Sequence, residues 1–107
     1  MKITKSSGNV FADLRLPAPE ERLLKAQLAS QIARIIARRK LTQGAAAGLM
    51  GIDQPKVSHL VHGRLGGFSA ERLLGWLSQL GHDVDVIVRM PARRRPGHLR
   101  VRMLAAR

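Results

Sequence analysis

The most constraining feature of the chain is the run from Leu41 to Gly63, LTQGAAAGLMGIDQPKVSHLVHG. Thr42 has the side chain of a helix N-cap, three alanines with Leu49 and Met50 continue a short helix, and Gly51 ends it. Asp53 then caps a second short helix from Gln54 to His62, stopped by Gly63. Pro55 falls in the first turn, where its missing N–H removes no intrahelical bond. Counting Gln43 as the first position, Ala47 is fifth, Gly51 ninth and Val57 fifteenth. A small residue is needed where the second helix crosses close, a glycine where the turn takes positive φ, and an apolar plug between the helices. Gly44 and Gly48 are expected to pack close against Val57.

The flanking segments supply a core for this pair. Pro17 and Pro19 precede Glu20 and Glu21, which suit the partial positive charge of a helix start. Leu24, Leu28, Ile32 and Ile35 or Ile36 recur at helical spacing up to about Arg39, predicting an amphipathic helix of roughly 30 Å. Ser69 caps another helix in which Leu73, Leu74, Trp76, Leu77 and Leu80 form the apolar side and Gly81 ends it. From Asp83 the period becomes two: Val84, Val86, Val88 and Met90 alternate with Asp85, Ile87 and Arg89, predicting a half-buried strand. Its partner is either Leu99–Met103 or the same strand of another copy. The expected fold class is mostly α, a bundle of four to five helices with a short C-terminal β-strand or hairpin. The expected division is an N-terminal arm (1–19) docking through Val10, Phe11, Leu14 and Leu16, a helical domain (20–81), and a C-terminal β element with an Arg-rich tail (82–107).

Composition narrows the partner. At 107 residues the chain has room for one domain. Its formal charge of +12 favours a polyanion, and residues 89–107 hold seven arginines and no acid. Only 3% of residues are aromatic, which disfavours base stacking on single strands and leaves duplex as the better substrate. With no cysteine there is no disulfide framework or thiolate zinc site. No apolar block resembles a signal peptide or a spanning helix, so a cytoplasmic protein without membrane association is expected.

The Leu41–Gly63 run has helix-turn-helix spacing, and residues 38 to 81 resemble the phage-repressor-like, or XRE (Cro/C1-type), family. The segments GNVFADLRLP, KAQLASQIARII, QPKVSHLVHGRLGGFS and LGHDVDVIV are similar to its HigA-like antitoxin branch, extending the resemblance to about residues 8 to 88. The resemblance implies a phage-repressor-like bundle that binds operator DNA as a homodimer and neutralises a RelE/HigB-like toxin. It also implies that Gln54, Lys56 and His59 project toward the major groove, with Thr42 and Gln43 nearer the phosphates. Two departures from the family pattern are Gly44 and Gly48 in the first motif helix, and Pro55 where a polar residue is common.

The side-chain chemistry agrees with those roles. Gln can bond adenine N6 and N7, Lys can donate to guanine or phosphate, His can donate to a base-edge acceptor, and Pro55 offers van der Waals contact with a thymine methyl. Arg64, after the second motif helix, is placed to meet phosphate. His59 and His62 lie three apart, but no third ligand completes a metal site. Ser58, His59 and Asp53 point in different directions on one helix and make no hydrolase triad. No catalytic residue, metal or cofactor is therefore expected. The rival readings are a protein-interaction module that inhibits a toxin or enzyme without specific DNA binding, and a nonspecific arginine-driven binder of RNA or anionic membrane.

Overall fold

The structure, a computed structural model, describes residues 2–3, 18–94, 97 and 101–104. Four helices carry the fold among these residues: α1 (Ala18–Arg38), α2 (Gln43–Met50), α3 (Gln54–Val61) and α4 (Ala70–Gln79). Two short strands, β1 (Lys2–Ile3) and β2 (Val86–Ile87), complete the described elements. The first helix begins two residues before Glu20, with Pro19 tolerated in its first turn. It is the axis of the molecule: α1 packs on α4 and α3, while α2 packs on α3 and α4.

A single apolar cluster joins all four helices. Leu24, Leu28, Ile32, Ile35 and Ile36 of α1 meet Leu73, Trp76 and Leu77 of α4, with Ala46, Ala47 and Met50 of α2 and Val57 and Leu60 of α3. Phe68 sits edge-on to Trp76 with ring centroids 5.4 Å apart, and the Arg72 guanidinium lies over the Trp76 ring, 4.9 Å from its centre. Arg72 is thus held by a cation–π contact. Arg39, which closes α1, donates from Nη1 to the Leu80 carbonyl at 3.1 Å. It therefore satisfies an acceptor at the end of α4 and ties the two longest helices together.

The caps form as the local sequence demands. Thr42 Oγ accepts from the Ala45 N–H, Asp53 Oδ1 from Lys56 and Ser69 Oγ from Arg72, at 3.0, 3.0 and 3.1 Å. Gly51 takes φ 69°, turning the chain between α2 and α3. The end of α1 is different: Lys40 adopts φ 54° while its N–H donates to Ala37 and that of Leu41 to Ile36. This left-handed closure is one glycine makes without a Cβ clash. Lys40→Gly is expected to raise unfolding free energy by about 1 kcal/mol, read as a higher urea midpoint at unchanged slope. A lower midpoint would show that the lysine side chain stabilises the turn by more than its backbone strain.

Three expectations are corrected. Gly44 and Gly48 do not pack on Val57: both are exposed, and an added Cβ on Gly48 would meet nothing within 4 Å. The buried stripe of α2 is Ala46, Ala47 and Met50, which places the two glycines outward. Among the described residues the strand expected over Asp83 to Met90 is formed at Val86–Ile87, and its expected inward face is not buried along its length, since Val88 is 47% and Met90 91% exposed. The strand partner the structure shows is β1, which was not among those expected: it pairs antiparallel, with Lys2 opposite Ile87 and Ile3 opposite Val86. Val101 packs half-buried against the core without forming a strand. The expected arm anchors Val10, Phe11, Leu14 and Leu16 lie outside the described residues, as do Leu99 and Arg100.

Candidate nucleic-acid interface

The two short helices form one surface because their shared interior is apolar and tightly covered. Val57 is 0% and Leu60 1% exposed, which fixes the rotation of α3 about its axis. With that face turned inward, 3.6 residues per turn bring Gln54, Pro55, Lys56 and His59 to the outside, and all four are exposed. The backbone N–H of Arg64 donates to the His59 carbonyl at 2.9 Å, closing α3 and leaving the exposed arginine side chain one turn beyond it. Gly63, at φ 75°, makes that turn.

The start of α2 lies beside the start of α3. A Cβ built on Gly44 would stand 3.8 Å from Gln54 Oε1 and 4.0 Å from Thr42 Oγ. Thr42, Gly44 and Gln54 therefore gather at one corner, with Gln43 half-buried at the first position of α2. The first-turn amides of a helix lack intrahelical acceptors and carry the positive end of its dipole, so this corner suits an anion. The outward turn of Gly44 leaves that backbone open on its exposed side.

Lys56 differs from the sequence expectation in one respect. Its Nζ is 4.0 Å from Asp53 Oδ2, so the capping aspartate also holds the lysine. Both side chains are substantially exposed, and such a pair stabilises by no more than about 1 kcal/mol, so an incoming phosphate or base can displace it. His62 turns back on α3, with Nδ1 2.7 Å from the Ser58 carbonyl and 3.5 Å from Ser58 Oγ. His59 and His62 thus point to different surroundings.

The seven sequence-predicted residues accordingly fall into two groups. Gln54, Pro55, Lys56, His59 and Arg64 share α3 and its exit, while Thr42 and Gln43 open α2 next to Gln54. Gly44 was not among them, and only three-dimensional proximity to Gln54 marks it. Among the described residues no helix is long and apolar enough to cross a membrane, and no three His, Asp or Glu side chains gather as a metal site.

Comparison with known proteins agrees with this geometry. The model of a family described as a helix-turn-helix domain matches residues 10–89. No curated protein matches the chain. A solved structure whose name assigns it to the XRE family of transcriptional regulators is 43% identical, with a TM-score of 0.74, over 84% of this chain and 100% of that one. With an outward-facing α3 packed through Val57 on an alanine-lined α2, and with these matches spanning most of its length, the chain belongs to the XRE family of helix-turn-helix proteins.

Proposed function

We propose that the protein is a sequence-specific double-stranded DNA-binding transcriptional repressor that acts as a homodimer. The observation that carries this reading is the orientation of α3: Val57 and Leu60 are buried while Gln54, Pro55, Lys56 and His59 face outward. In the proposed complex α3 enters the major groove, where Gln54 and His59 read base edges and Lys56 contacts a base or phosphate. Thr42, Gln43 and Arg64 hold the backbone. Residues 20–81 are the DNA-binding part, 1–19 an arm, and 82–107 a β element with a basic tail. The net charge of +12 supplies the nonspecific attraction on which such recognition builds.

The finer reading is an antitoxin of the HigA-like branch that represses its own operon and neutralises a RelE/HigB-like ribonuclease. Its support is the similarity of the framing segments to that branch. Gel shifts at one salt concentration, comparing the DNA upstream of its own gene with shuffled duplex, are expected to show at least about a thousandfold preference for the former. Equal affinities would refute specific repression and leave an interaction module. Co-expression with the adjacent reading frame tests the finer reading separately: the protein is expected to restore growth arrested by a small RelE-like neighbour, and failure removes the antitoxin role alone.

A further inference from the structure

We propose that the groove between α1 and the exit of α3 is the docking site for an acidic amphipathic helix of a partner protein. The groove lies beyond the repressor reading, since α1 carries none of the residues assigned to DNA. It measures about 390 Å³ and opens to solvent along α1. Its floor is Ala26, Ala29, Ser30 and Ala33, and its far wall is the end of α3 with Leu65. From Ala26 to Ala33 the floor runs for two turns, roughly 10 Å. Leu23, 56% exposed, extends the same face by one more turn, because Leu23, Ala26, Ser30 and Ala33 follow one another at spacings of three and four.

The shape suits a helix. Floor side chains no larger than serine let a second helix approach to about 8 Å between axes, with anchors at i, i+3 or i+4 and i+7 laid over the alanines. A small ligand fits less well. A pocket for one is enclosed and turns several polar groups on it, whereas this groove is open and Ser30 and His62 supply its only polar side chains. His62 Nδ1 is moreover engaged by the Ser58 carbonyl at 2.7 Å.

Charge specifies the occupant. Arg22 lies one turn before Ala26 and Arg34 one turn after Ser30, both exposed, and Arg64 stands between the lining residues Gly63 and Leu65. No acid of the two walls answers them: residues 54–70 contain none, Glu21 is held by Lys25 Nζ at 3.8 Å, and Glu20 lies a third of a turn round α1 from Ala26. An occupant with carboxylates flanking its apolar face therefore meets complementary charge at both ends of the floor. A second copy of the chain offers no such helix. Within their ranges α2 and α3 contain no acid and α4 only Glu71, while two α1 faces would set arginine against arginine in either direction. Duplex DNA would meet the arginines and leave the alanine floor without a partner, since a phosphate gains nothing from methyl groups.

Residue-resolved NMR of the full chain tests the site with two synthetic helical peptides of about 16 residues, alike in their leucine and alanine face, one flanked by glutamate and the other by lysine. The glutamate peptide is expected to shift the amides of residues 26–33 and 60–65 and to bind at least about tenfold more tightly than the lysine peptide. Ala26→Trp fills the exposed floor and is expected to weaken the glutamate peptide by about tenfold or more, while operator affinity stays within about threefold of the parent. Arg22→Glu with Arg34→Glu is expected to invert the preference between the peptides. Circular dichroism and urea midpoints verify that both variants are folded. Absence of binding, equal binding of the two peptides, shifts spread over the whole basic surface, or binding indifferent to Ala26→Trp overturns the proposal. Shifts of residues 26–33 produced by operator duplex, or by raising the protein concentration alone, overturn it as well, because the groove is then a DNA contact or an interface between copies. The repressor reading is judged separately, by operator discrimination in the Gln54 and His59 variants.

Discussion

Val57→Asp is expected to abolish the folded helix pair, and with it all binding that depends on an oriented α3. Val57 is fully enclosed, and among the described residues the core cluster around it contains no buried polar or charged side chain. A carboxylate placed there loses its hydration without gaining a partner, and protonation would still leave polar atoms inside the apolar cluster. The valine's packing is lost as well. The combined effect is several kcal/mol, against a total stability of roughly 5 to 15 kcal/mol for a domain. The expected measurement is loss of the cooperative urea transition and of most helical circular dichroism at 25 °C. A variant that keeps a cooperative transition and an unchanged midpoint would show that Val57 does not hold α3 on α2.

This dependence on one enclosed side chain also explains which parts of the molecule are legible in the sequence. Caps are local, so Thr42, Asp53 and Ser69 announce their helices directly, and Gly51 marks its turn because few other residues take positive φ readily. The outward set on α3 is legible because Val57, Leu60 and Val61 are its branched apolar residues and leave Gln54, Lys56 and His59 as the polar remainder with Ser58. In α2 the same logic fails. Alanine and glycine give little contrast between faces, so Gly44 and Gly48 look as suited to close packing as Ala46 and Ala47, and only the packed structure chooses the face. The β1–β2 pair is illegible for another reason: two residues carry no periodicity, and their partner lies more than eighty positions away. Arginines are similarly ambiguous. Summed as charge they all point to a polyanion, yet Arg39 bonds the end of α4 and Arg72 stacks on Trp76. At the candidate interface the Lys56–Asp53 pair was hidden because a capping aspartate and an exposed lysine three residues apart serve separate roles until their side chains are seen together.

Gln54→Ala and His59→Ala are expected to leave the fold intact and to remove sequence discrimination, each by about 1 to 3 kcal/mol, or roughly 5- to 150-fold in the ratio of operator to random-duplex affinity. Both side chains are exposed, so truncation opens no cavity and unfolding should not contribute. The two residues differ in their surroundings. Gln54 stands beside Gly44 and Thr42, where its amide can meet a base edge while the start of α2 meets the phosphate, so its loss should also disturb register. His59 lies one turn further along α3 and should act at a separate base pair, making the two effects close to additive. Lys56→Ala is the informative contrast. Removing a cation that acts mainly on phosphate should weaken binding to all duplexes alike and reduce the slope of log affinity against log salt by about 1, with little change in discrimination. Titrations of the three variants against operator and shuffled duplex over a range of salt separate these outcomes. Unchanged discrimination in both Gln54→Ala and His59→Ala would mean that α3 does not read the sequence, and the repressor reading would have to be abandoned even if the basic surface still bound DNA.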